Sequence, residues 1–181
     1  MRIVAGEFKG RRLHAPRGAA TRPTADRVRE ALFSILGDVS GARVLDLYAG
    51  SGALGLEALS RGASSVVFVE NSQGVLPVLK ENLAAVGLPG GRVVAGSVPT
   101  VVGGAAPAPF DLVLADPPYA TASEEVQEVL RSLAERGWLA PDAVLVVERS
   151  SRDSLFEWPT PLVGLRDRRY GEAVLRYGRS S

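Results

Sequence analysis

The sequence predicts an α/β fold, a mostly parallel sheet with helices on both faces. Three observations carry this. Strand-like and helix-like segments alternate through the middle of the chain. The strand-like segments are short, Val-rich and almost wholly apolar, as strands covered on both faces are. A glycine-rich turn leads from the first of them straight into a helix.

Each element follows in order. Met1 to Gly18, punctuated by Gly and Arg, reads as a short β-hairpin, and residues 1–20 form a basic extension to a single domain spanning 21–181. A helix comes next, with Thr24 as its cap and Val28, Ala31, Leu32, Ile35 and Leu36 facing inward, while Arg22, Arg27 and Arg29 face solvent. Core strands are expected at Arg43 to Tyr48, Ser65 to Glu70, Arg92 to Ala95, Asp111 to Ala115 and Ala143 to Glu148. Helices are expected at Gly52 to Arg61, at Ser72 to Val86 with a start delayed or kinked by Gly74 and Pro77, and at Glu124 to Arg136. In the last of these Val126, Val129, Leu130 and Leu133 make one apolar stripe, and Gly137 stops it. The Gly/Pro/Ala stretch Pro99 to Pro109 reads as a flexible loop in place of a crossover helix. Two further strand candidates beyond Ser150 bring the total to seven.

Composition narrows the chemistry. The 181 residues include no cysteine and one histidine, His14. Thiol catalysis, disulfides, cysteine–histidine zinc clusters and histidine-dependent triads are excluded, and no metal site is expected. No apolar run approaches the roughly 20 residues that cross a bilayer, and the N-terminus is charged too early for a secretory signal, so the expected setting is the cytoplasm. Charge is segregated. Residues 1–30 hold eight Lys+Arg and three Asp+Glu, residues 31–148 six and thirteen, and residues 149–181 seven and four. Basic ends around an acidic middle suit a polyanionic partner, because each phosphate neutralised releases a counterion.

After the first core strand the chain reads Asp46-Leu-Tyr-Ala-Gly-Ser-Gly-Ala-Leu-Gly55. Gly50 and Gly52 allow a tight turn that brings backbone N–H groups to a ligand, and Gly55 permits close helix packing. Glu70, ending the next strand, stands where an acid would receive ribose hydroxyls. Asp46 separates the possible cofactors. A doubly negative pyrophosphate would be repelled there, whereas the ammonium and sulfonium of S-adenosylmethionine would be attracted.

The fourth core strand ends Asp116-Pro117-Pro118-Tyr119, at the sheet edge where open α/β folds bind ligands. An exocyclic nucleobase amine is a poor nucleophile because its lone pair is delocalised into the ring. Asp116 can accept one of its hydrogens and the Pro117 carbonyl the other, with the geometry stiffened by the two prolines. The nitrogen lone pair is then aimed at a methyl donor. Tyr119 offers a face on which an unpaired or flipped base stacks.

With these motifs the chain resembles a class I S-adenosylmethionine-dependent methyltransferase, a Rossmann-like fold. More narrowly it resembles the bacterial RsmD family of 16S ribosomal RNA guanine-N2 methyltransferases. The narrower resemblance rests on MRIVAGEFKGRRL, RPTADRVREALFSIL, LDLYAGSGALGLEALSRGA, FVE and LADPPY. It implies a cofactor site at Asp46, Tyr48, Ala49, Gly50, Ser51, Gly52, Glu70 and Asn71. Ser97 or backbone would receive the adenine where many relatives carry an acid or amide. It implies a base clamp at Asp116 to Tyr119, RNA contacts at Lys9, Arg11, Arg12, Arg22 and Thr24, and a partner in 16S ribosomal RNA within a small subunit or assembly intermediate. A monomer is expected. An adenine-N6 DNA methyltransferase and a noncatalytic RNA-binding assembly factor on the same fold are the alternatives.

Overall fold

The computed structural model describes residues 1–18 and 23–181. Its elements run α1 (Pro23–Leu36), β1 (Arg43–Leu47), α2 (Ala53–Ser60), β2 (Ser65–Glu70), α3 (Leu76–Val86), β3 (Gly91–Ala95), α4 (Val98–Val102), β4 (Phe110–Ala115), α5 (Ser123–Glu135), β5 (Leu139–Ser150), β6 (Val163–Tyr170) and β7 (Ala173–Arg179). Among the described residues the seven strands form one sheet in the order β3-β2-β1-β4-β5-β7-β6. The first five are parallel, and β7 inserts antiparallel between β5 and β6. The chain runs outward from β1 in one direction and from β4 in the other, so the crevice between their C-terminal ends is the topological switch point.

Strand alternation divides the core. Val44, Val66, Phe68, Leu112 and Leu114 meet Leu32, Phe33, Leu56, Leu59 and Leu79 of α1 to α3. Their neighbours Leu45, Leu47, Val69, Val113, Leu145 and Val147 meet Val98 and Val102 of α4 and Val126, Val129, Leu130 and Leu133 of α5. Both faces are therefore covered, as the unbroken apolar runs require.

The N-terminal hairpin is not formed. The segment carries one isolated antiparallel bridge, Arg2 to Arg12, and no two-stranded ladder. Three backbone bonds still cross the segment, from Ile3 N–H to Arg11, Gly10 N–H to Ile3 and Leu13 N–H to Met1, while other groups are drawn to α2, along which it lies. The N–H groups of Val4 and Ala5 donate to the Glu57 carboxylate, that of Glu7 to the Ser60 carbonyl, and that of Phe8 to Ser60 Oγ. Ile3 and Leu13 are buried in the core as a result.

Three further expectations change. Arg29 is buried rather than wet, since it ion-pairs with Asp26 at 3.0 Å and with the fully buried Glu57 at 3.4 Å. Residues 99–109 are not wholly loop: α4 forms because Ser97 caps Thr100 N–H, Pro99 is tolerated in the first turn, and Val98 and Val102 bury themselves. β5 extends beyond the expected Ala143 to Glu148 at both ends, held by β4 on one side and β7 on the other. The delayed start of α3 at Leu76 follows from Gly74 and Pro77 as expected. Arg22 and the Thr24 side chain lie outside the described residues.

Candidate active site

Sheet register builds the site. Leu47 is level with Val69 of β2 and Ala115 of β4, and Ala115 is level with Val147 of β5. One residue further, Glu70, Tyr48, Asp116 and Glu148 therefore stand side by side along the C-terminal edge. All four line a cleft of about 780 Å³, together with Gly50, Asn71, Ser97, Pro117, Pro118 and Tyr119. A second lobe of about 400 Å³ adjoins it, bordered by Asp46, Ala49, Ser51, Met1, α1 and the start of β7. Tyr48, Gly50, Asp116, Tyr119 and Glu148 border both lobes.

The turn after β1 is close-packed. Gly52 has φ +84°, and a Cβ there would lie 2.5 Å from Leu79 Cδ1; at Gly55 it would lie 2.3 Å from Phe68 Cε1 and 2.9 Å from Asp46 Oδ2. Glu70 binds the loop, accepting from Gly50 N–H at 2.8 Å through one oxygen and from the Asn71 and Ser72 N–H groups through the other. Asp46 alternates onto the α2 face and is 1 % exposed. Its Oδ2 accepts the Gly55 N–H at 2.9 Å, one of the donors that the first turn of α2 leaves free. Burial pushes its carboxyl well above the ordinary carboxylate range, against that hydrogen bond and with the charges of Asp116 and Glu70 adding to the rise. Tyr48 holds a left-handed backbone (φ +57°), and its buried hydroxyl has no partner among the described residues. Ala49 N–H donates to the Val69 carbonyl, and the Ser51 carbonyl accepts from Asn82. Ser97 is occupied as the α4 cap but still faces the cleft.

At the other side Pro117 is buried and Tyr119 is 55 % exposed, its ring open to the cleft. Tyr119 Oη donates to Glu148 Oε1 at 3.4 Å. The Asp116 carboxyl retains contact with solvent through the cleft while protein crowds it on the other sides. That crowding, followed by the charge of Glu148 and a hydrogen bond between the two side chains, pushes Asp116 up to about 8. Burial raises Glu148 as well, opposed by hydrogen bonds from Asp116 and Tyr119.

Glu148 escaped the sequence reading, which saw it only as the last residue of an apolar strand. The available signal was positional, an acid closing AVLVVE as Asp116 follows the end of DLVLA. Arg149 next to it points the other way, donating to Asp153 and to the Thr121 carbonyl at 2.7 Å each, and so ties down the turn beyond Tyr119. Lys9, Arg11 and Arg12 are not brought to the cleft. Arg11 reaches the Ala85 carbonyl at the end of α3, and the turn at Gly6 to Gly10 lies by Ser60, at the end of α2 remote from the glycine loop.

Comparison with known proteins gives the chain its relatives. A family model described as "Conserved hypothetical protein 95" matches residues 1–179. The chain is 36 % identical over 177 residues to ribosomal RNA small subunit methyltransferase D of Escherichia coli K12, covering 97 % of this chain and 88 % of that one. It is 35 % identical over 175 residues to the putative rRNA methyltransferase YlbH of Bacillus subtilis, covering 94 % of each. Among solved structures, putative methyltransferase yhhF from Escherichia coli superposes with a TM-score of 0.90 at 33 % identity, covering 100 % of this chain and 98 % of that one. The same fold, at 15 % identity and a TM-score of 0.71, occurs in SMU.776, a putative methyltransferase complexed with SAH. The chain belongs to the ribosomal RNA small subunit methyltransferase D family, S-adenosylmethionine-dependent methyltransferases of the class I fold.

Proposed function

We propose that the protein is a 16S ribosomal RNA guanine-N2 methyltransferase acting at the position corresponding to guanine 966. Its substrate would be the RNA within a small subunit or assembly intermediate in the cytoplasm, and the enzyme would work as a monomer. The observation that carries this reading is the single cleft uniting the glycine loop, Glu70 and Asp116. Among the described residues its larger lobe is lined by four carboxyl residues, Glu70, Asp116, Glu125 and Glu148, and by no Lys or Arg. That donor set fits a cationic sulfonium ligand and opposes a pyrophosphate.

S-adenosylmethionine, when bound, supplies an electrophilic methyl group. Glu70 and the backbone of Gly50 to Gly52 would hold its ribose side, Asn71 and Ser97 its adenine side, and Asp46, through the adjoining lobe, its ammonium side. Asp116 accepts one hydrogen of the guanine N2 amine and the Pro117 carbonyl the other, which frees the lone pair along the line of attack. Tyr119 stacks on the base, a contact worth roughly 1–3 kcal/mol in general. Lys9, Arg11, Arg12, Arg22 and Thr24 would contact RNA away from the reacting base, positioning it without reading sequence.

Radiolabelled methyl transfer to small-subunit particles lacking the modification, with mass spectrometry of the digested RNA, tests this reading. Label on the N2 of that guanine is expected. Label on adenine N6, or on DNA in preference to RNA, overturns it.

A further inference from the structure

Glu148 has no assigned task. It lines both lobes of the cleft, stands one strand beyond Asp116, and has no ion-pair partner among the described residues. Its one hydrogen bond from outside the carboxyl pair comes from Tyr119, at the long distance of 3.4 Å. An acceptor held open beside a base-stacking tyrosine is positioned to read a base.

Building on the guanine-N2 reading above, we propose that Glu148 selects guanine by accepting the N1–H of the target base while Asp116 accepts a hydrogen of N2. The order of groups along the edge is Glu70, Tyr48, Asp116, Glu148. A base whose N2 is held at Asp116 and turned toward the Glu70 side presents its next ring atom to Glu148. On guanine that atom is either N1, a donor, or N3, a bare acceptor that a carboxylate repels. The N1–H edge therefore fits, and two adjacent donors meet two adjacent acceptors. Adenine places an acceptor, N1, beside its amine. It would set a lone pair against the Glu148 carboxylate and leave a buried acceptor unpaired.

The probe is 2-aminopurine, which keeps the exocyclic amine at C2 but has a lone pair at N1. Target-site RNA carrying guanine or 2-aminopurine is compared by single-turnover methyl transfer and by kcat/KM. The native enzyme is expected to favour guanine by roughly ten- to a hundredfold, the range for a good paired contact to a base edge. Glu148→Gln, whose amide can donate to the bare N1, is expected to slow guanine transfer and narrow that ratio about tenfold or more. Calorimetric binding of S-adenosylhomocysteine and a single cooperative melt establish that the variant is folded. Equal use of both bases by the native enzyme overturns the proposal whatever the variant does. So does an equal loss on both bases in Glu148→Gln, which would make Glu148 a support for Tyr119. Failure of the native enzyme to methylate guanine at all brings down the underlying reading as well, and is distinguishable for that reason.

Discussion

Neighbouring parallel strands place Asp116 beside Glu148, and burial first, then the charge of Glu148, holds a proton on Asp116. That proton has opposite consequences for folding and for activity. The unfolded chain releases the Asp116 proton near 3.8, whereas the folded chain keeps it to about 8. The folded state thus binds more protons between those values, and stability falls as pH rises across them. Transfer needs Asp116 as an acceptor, so its rate is expected to climb as pH rises through about 8. Asp116→Asn should flatten the pH dependence of Tm and leave Tm equal or higher at pH 8, while Asp116→Ala, which offers no acceptor, should abolish methyl transfer with S-adenosylhomocysteine still bound. Thermal melts at several pH values together with methyl-transfer assays check both halves, and a fully active Asp116→Ala would end the clamp mechanism. Gly55 tests packing at the same scale. Its missing Cβ would sit 2.3 Å from Phe68 and 2.8 Å from Val66, so Gly55→Ala is expected to lose about 1–3 kcal/mol in urea unfolding through overpacking.

At the scale of elements, α2 is held by more than its sheet contacts. Glu57 on its buried face takes two N–H groups from the N-terminal segment and two guanidinium groups, Arg29 from α1 and Arg61 at the C-cap of α2. Glu57→Ala would leave the Val4 and Ala5 N–H groups without their acceptor and the buried Arg29 with Asp26 as its one remaining carboxylate, and denaturant unfolding should show a loss of about 3 kcal/mol or more. Arg61→Ala, which removes one partially exposed member, should lose far less. This brace is also where sequence reading reached its limit. The parallel core strands, α2, α3 and α5 were legible because apolar periodicity and glycine punctuation are local signals. The acid of α2 that recruits Arg29 and unmakes the expected hairpin is a partner 28 residues from Arg29 and 53 from Val4, and no local pattern announces it. The site divides in the same way. Asp116, Glu70 and the glycine loop sit in motifs, whereas Glu148 becomes visible only when β5 is laid beside β4. The α4 helix was hidden by a Gly/Pro-rich surrounding that outweighed one serine cap.

Over the whole molecule, the basic N-terminal turn and the base-binding cleft are at opposite ends of α2, a helix of 8 residues and so roughly 12 Å long. RNA engaging both would have to span that length of surface. Lys9→Ala with Arg11→Ala is therefore expected to weaken RNA binding at every sequence and to lower the salt slope of log K by about 2, without altering S-adenosylhomocysteine affinity or the base preference. Filter binding across a salt series measures it, and an unchanged slope would remove the turn from the RNA surface. The alignment of Glu70, Tyr48, Asp116 and Glu148 has a last consequence. Adjacent strands are spaced by backbone hydrogen bonding at about 4.8 Å, so the outermost pair is fixed roughly 14 Å apart before any side chain is chosen. The sheet acts as a ruler whose graduations point mutations cannot move. Altering which base is accepted would then become a matter of changing the lettering at one graduation, while the spacing of the four strand ends is inherited intact from the backbone.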